Sequence, residues 1–100
     1  MNIYLDNKTS LLLNQIFEKF SQVKEVVLYG SRAKQTHHDR SDIDLVICNS
    51  SIDRSTLGKI KMEIDNSDIP YTVDLQIFEK LKNQDLLDHI QRVGKRIYFK

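Results

Sequence analysis

Of 100 residues, one is cysteine, one is proline, three are glycine and none is tryptophan. A single cysteine cannot close an internal disulfide, so Cys48 gives no reason to expect an oxidising compartment. It also rules out a cysteine-based zinc site of the usual kind. The scarcity of Gly and Pro argues against disordered or low-complexity chain. No run approaches the roughly 18 apolar residues of a membrane span. The opening Met1-Asn2-Ile3-Tyr4-Leu5-Asp6 lacks the basic segment and apolar core of a signal peptide. Charge of one sign is missing too. Lys and Arg number 15 against 14 Asp and Glu, a formal net charge of +1. A general nucleic-acid clamp carries a large basic excess, so this balance argues against one. The expectation is a cytoplasmic chain.

What is present fits a single domain over residues 1–100, with an apolar fraction of 40% that is ordinary for a globular chain. Two hydrophobic periods alternate. Leu12, Leu13, Ile16, Phe17 and Phe20 recur at helical spacing, which predicts a helix over 9–21 capped by Thr9 or Ser10. Glu25-Val26-Val27-Leu28-Tyr29 is short, β-branched and aromatic, reads as a buried strand, and stops at Gly30. Residues 31–41 are polar and read as a helical turn followed by a loop. Asp42-Ile43-Asp44-Leu45-Val46-Ile47-Cys48 is a second strand. Leu57, Ile60, Met62 and Ile64 predict a helix from Asp53 to Asn66, weakened by Gly58. After Pro70, residues 71–78 alternate, with Val73, Leu75 and Ile77 on one face. A helix over 83–93 ends at Gly94, in the place of a C-cap glycine, and Arg96-Ile97-Tyr98-Phe99 forms a last short strand. Such alternation predicts an α/β (α+β) fold, a small mixed sheet of three to four strands flanked by helices.

The anomaly is where acids sit. Aspartate is depleted in strands, yet Asp42, Asp44 and Asp74 fall in expected strands. Residues two apart in a strand share a face, so Asp42 and Asp44 project together while Ile43, Leu45 and Ile47 point inward. If the strands at 42–48 and 71–77 are neighbours, Asp74 joins them. Close carboxylates repel unless a proton or cation lies between them. Three converging carboxylates suit a hard divalent cation such as Mg²⁺, which leaves room for substrate phosphates. An isolated Asp-x-Asp is more commonly a loop cap followed by a solvent-facing residue. The segment upstream changes that weighting. Gly30 permits close backbone approach, and Ser31 stands at the start of a helical turn, where N–H groups favour anions. A phosphate cradle beside a metal site would hold a nucleoside triphosphate.

Gly30-Ser31, ten intervening residues, then Asp42-Ile43-Asp44 resembles the signature of the polymerase-beta-like nucleotidyltransferase superfamily. Leu28-Tyr29-Gly30-Ser31-Arg32-Ala33 with Ser41-Asp42-Ile43-Asp44-Leu45 is similar to its minimal members, and Asp74 matches the third carboxylate. The resemblance implies a nucleotidyltransferase-type fold and transfer of a nucleoside monophosphate, AMP from ATP, to an acceptor hydroxyl. It implies two Mg²⁺ ions on Asp42, Asp44 and Asp74, with Asp74 able to take the acceptor's proton. Gly30 and Ser31 are implied as holding the β- and γ-phosphates. Arg32 could add a charge-assisted contact to phosphate, or be an ordinary ion-paired arginine. Minimal members occur with a helical HEPN-type partner, as the antitoxin of a toxin–antitoxin pair that can modify its partner. The length leaves almost nothing for an acceptor-binding domain, which makes a second protein the expectation. An RNA acceptor is a lesser alternative. A subunit acting only by occluding its partner, with little or no catalysis, is the other reading.

Other groups have plainer readings. His37-His38-Asp39 could suggest a transition-metal site, but adjacent loop residues rarely converge on one ion. Cys48 reads as a small hydrophobe and Tyr29 as core. Arg92, Lys95, Arg96 and Lys100 form a basic cluster that could meet RNA or an acidic partner, with solvated surface the safest reading.

Overall fold

The first helix begins at a cap. In the computed structural model, which describes residues 4–35 and 41–100, Asp6 accepts the Thr9 N–H at 3.0 Å and opens α1 (Asn7–Glu18). The expected caps Thr9 and Ser10 lie inside the helix instead, and Thr9 is buried. An earlier Asp was available to satisfy the same orphan N–H groups, so the start moved by two residues. The other elements follow as β1 (Glu25–Tyr29), α2 (Gly30–Ala33), β2 (Ile43–Cys48), α3 (Arg54–Asp65), β3 (Val73–Ile77), a 3₁₀ turn (Phe78–Lys80), α4 (Gln84–Val93) and β4 (Lys95–Phe99).

The strands form one mixed sheet in the order β3-β2-β1-β4. β1 runs antiparallel to both β2 and β4, while β2 and β3 are parallel and joined through α3. Alternation along the strands divides the core. Val26, Leu28, Ile43, Leu45, Ile47, Leu75 and Ile77 lie on one face, in the cluster that holds Leu13 and Phe17 of α1 and Ile60 and Ile64 of α3. Tyr29, Val46 and Cys48 lie on the other, packed with Ile90 of α4. β2 is thus covered on both sides, and Asp44 is its only residue that is not fully buried. Met62, expected to help face the core, is exposed.

Gly94 does cap α4, its N–H donating to the Ile90 carbonyl at 2.8 Å, but its φ of −58° is one that any residue adopts. The position needs glycine for space. A Cβ there would run into the Ile90 carbonyl and stand 2.7 Å from Val27 Cγ1. Gly58 is the opposite case, since a Cβ at this exposed position in α3 meets nothing within 4 Å. Gly58→Ala should therefore stabilise the fold by roughly 0.5–1 kcal/mol through helix propensity. Urea denaturation should show a higher midpoint at an unchanged slope.

Candidate active site

The site is built on a row that crosses three strands. Tyr29 of β1 lies opposite Asp44 of β2, and Asp44 lies beside Asp74 of β3. All three project from the face that carries Val46 and Cys48, because their neighbours Leu28, Leu45 and Leu75 fill the other core. The expected adjacency of the second and third strands therefore holds, and it brings Asp44 and Asp74 together. Asp42 stands just before β2 rather than within it and is exposed. It remains close enough for its charge to act on Asp44.

Gly30 ends β1 at a φ of +75°, in the region that favours glycine. A Cβ here would collide with the Asp44 carboxylate. The backbone turn and the acid are therefore in direct apposition. The Gly30 N–H donates to His89 Nε2 of α4 at 3.0 Å. Ser31 follows in the first turn of α2 and is half-buried.

Arg32 departs from the phosphate-contact expectation. It is only 4% exposed, and its Nε and Nη2 donate to the Ser41 carbonyl at 3.2 and 2.9 Å. The guanidinium also sits 4.5 Å over the Tyr71 ring. A planar fork that bonds one carbonyl twice and stacks on an aromatic is a structural clamp. It joins α2 to the residue immediately before Asp42. The basic cluster disperses in the same way. Arg92 pairs with Asp88, Arg96 with Glu25, and Lys100 Nζ donates to the Phe20 carbonyl. His37, His38 and Asp39 lie outside the described residues.

The electrostatics follow from this packing. Burial raises the Asp44 carboxyl above its ordinary range, and the charges of Asp74 and Asp42 raise it further. The Tyr29 hydroxyl is pushed up to about 12 by burial and then by Asp74 and Asp44. Both shifts report negative potential concentrated on one partly desolvated patch. Asp74 itself is exposed, and its Oδ1 accepts from Gln76 Nε2 at 3.1 Å. Among the described residues no three carboxylate, imidazole or thiol groups close around one point. The acids form an open edge whose oxygen donors suit a hard divalent cation that keeps ligand positions for a substrate. Cys48 is buried, and its thiol is raised to about 11 by burial first, as expected of a packing residue.

Reading the sequence missed two neighbours of this patch. Tyr29 is core, as expected, but core on the acids' side. His89 adjoins buried Ile90 in α4, and that adjacency was the one local sign that its ring could reach the sheet.

Asp44 is an acid with a raised folded value. The folded chain then holds a proton that the unfolded chain releases, and stability falls as pH rises through that interval. Asp44→Asn should raise the melting temperature of the metal-free protein at neutral pH. The difference should close as pH drops through the carboxylate range, where Asp44 is uncharged anyway.

The family model described as Polymerase beta, Nucleotidyltransferase matches residues 12–100. No curated protein is significantly similar in sequence. Among solved structures, a toxin–antitoxin with AMP-PNP is 20% identical, with a TM-score of 0.69 over 96% of this chain and 75% of that one. The MntA-HepT toxin–antitoxin is 14% identical, with a TM-score of 0.67 over 95% and 74%. A tri-AMPylated Shewanella oneidensis HEPN toxin in complex with MNT antitoxin is 18% identical, with a TM-score of 0.61 over 92% and 73%. At these identities the likeness is one of fold.

Proposed function

The chain belongs to the polymerase beta nucleotidyltransferase family, and from that premise we propose that it transfers AMP from ATP to a hydroxyl of a HEPN-type partner protein. It would do so in the cytoplasm, as the antitoxin of a toxin–antitoxin pair. The observation that carries this reading is the in-register pair Asp44 and Asp74, set against the Gly30 turn. The partner is argued from the solved complexes of the same fold, one of which holds an AMPylated HEPN toxin.

The reaction joins an acceptor oxygen to the α-phosphorus and releases pyrophosphate. Asp42, Asp44 and Asp74 would hold Mg²⁺, two ions in the full site, with Asp44 central because it alone is flanked by both others. Bound Mg²⁺ supplies charge neutralisation at the leaving phosphates and acidifies the attacking hydroxyl. Asp74 would take the acceptor's proton, a role supported by its exposure at the outer end of the row. Gly30 contributes closeness rather than its amide hydrogen, which His89 already holds. Phosphate contact then falls to Ser31 and the α2 backbone beyond it. Arg32 acts indirectly, by keeping α2 and the approach to Asp42 in one piece.

Removing the central carboxylate should be severe. Asp44→Asn should cut transfer on the order of 100-fold or more, about 3 kcal/mol of transition-state stabilisation. Asp42→Asn and Asp74→Asn should act in the same direction. The measurement is co-expression with the neighbouring gene product, followed by α-labelled ATP and Mg²⁺. Label on the partner that disappears with Asp44→Asn is the expected result. Undiminished labelling in that variant would falsify the mechanism. Tight neutralising complexes without label, in wild type and variant alike, would favour an antitoxin acting by occlusion. Label on RNA would redirect the acceptor.

A further inference from the structure

We infer that His89 is a positioning residue of the nucleotide site, holding the Gly30 turn open through the hydrogen bond from the Gly30 N–H to its Nε2. The inference rests on the nucleotide-transfer reading above, and it adds a residue from a helix that the Gly-Ser and aspartate motifs do not include.

Glycine does not hold its own conformation. With no Cβ it visits both signs of φ at little cost, so a fixed φ of +75° at Gly30 must be imposed by neighbours. The structure shows two. On one side the Asp44 carboxylate occupies the volume where a Cβ would be. His89 binds the amide at 3.0 Å across 59 residues of sequence. Removing the second leaves a partly buried N–H without its acceptor and a turn constrained from one side only.

His89 is itself well held. Its neighbour Ile90 is buried in the second core cluster, and α4 runs directly into β4, which pairs with β1. Gly94 lets that junction press against Val27 of the same strand. The imidazole meets the Tyr29 ring edge-on, with centroids 6.3 Å apart and planes at 79°, which limits its rotation. The chain thus carries its turn at the end of β1 and braces it from a helix fastened to β1.

The chemistry of the position also selects this side chain. An acceptor for the Gly30 N–H must be uncharged, because Asp44 is already crowded by the charges of Asp74 and Asp42. A carboxylate would add to that crowding, and lysine or arginine offers no lone pair. An imidazole whose Nε2 accepts the Gly30 N–H supplies that lone pair without placing a carboxylate beside Asp44. Glutamine is the other neutral acceptor of similar reach, since its Oε1 can stand near the place of Nε2.

The test compares wild type, His89→Ala and His89→Gln as full chains. Each is followed by thermal unfolding, AMP-PNP·Mg²⁺ binding by calorimetry, and labelled transfer. His89 is half-buried on a helix, so alanine should leave the fold intact. His89→Ala should weaken nucleotide binding and raise KM for ATP about tenfold, with a smaller change in kcat, because a loosened cradle loses ground-state binding first. His89→Gln should return both to within about threefold of wild type. A folded alanine variant with wild-type KM overturns the inference. So does a folded glutamine variant as impaired as alanine. Nitrogen-15 imidazole spectra give a readout independent of turnover: the proton should reside on Nδ1, and a proton on Nε2 of the neutral ring would exclude the bond. Wild-type protein that binds no nucleotide at all removes the nucleotide-transfer reading and this inference together. Wild-type binding with an indifferent alanine variant removes the inference alone.

Discussion

The site depends on one close approach, that of the Gly30 backbone to the Asp44 carboxylate. It requires a residue without Cβ just after β1 and an acid on β2 opposite Tyr29, the last residue of that strand. It also requires the strands to be in register. A one-residue slip would carry the acid to the opposite face. That slip is opposed by apolar burial, since Leu28, Leu45 and Leu75 form a cross-strand row that is 0–1% exposed. The core beneath α1 and α3 thus positions the acids on the other side of the sheet.

The same packing makes the acids uncomfortable. A strand buried on both faces holds one carboxylate, with a second beside it in register and a third just outside. The ion pairs found among the described residues use Glu63, Asp88 and Glu25, and none draws on these three aspartates. Buried Arg32 is turned toward the Ser41 carbonyl. Like charges held close on a folded surface are a stability cost that a bound cation would reverse. Proteins tend to break local rules of this kind where function demands it.

Neighbours that bear no motif complete the arrangement. Arg32 fastens Ser41, the residue before Asp42, and His89 fastens the turn at Gly30. Tyr29 fills the space between the turn and the helix, its hydroxyl sharing the field of Asp44 and Asp74. The contacts of Arg32 with Tyr71 and of Gly30 with His89 join segments distant in sequence. Together they convert a Gly-Ser turn and three acids, any of which could occur singly on an ordinary surface, into one rigid patch.

The sequence by itself determined the element order, the strands and the identity of the acids. Those signals are local: a period of two or of 3.6 residues, a glycine at a strand end, aspartates where strands disfavour them. The family resemblance was legible for the same reason, since it joined the spacing from Gly30-Ser31 to Asp42-Ile43-Asp44 with strand context and a third acid downstream. Tertiary structure decided which face each acid took and which side chains braced it. Arg32 became a clamp because Ser41 and Tyr71 arrive beside it only after folding. His89 reached Gly30 because β4 pairs with β1 and carries α4 along. Gly94 proved necessary for its missing Cβ, not its φ, since Val27 comes from another strand. Periodicity reports which residues a single element buries; it carries no record of the partner against which they are buried.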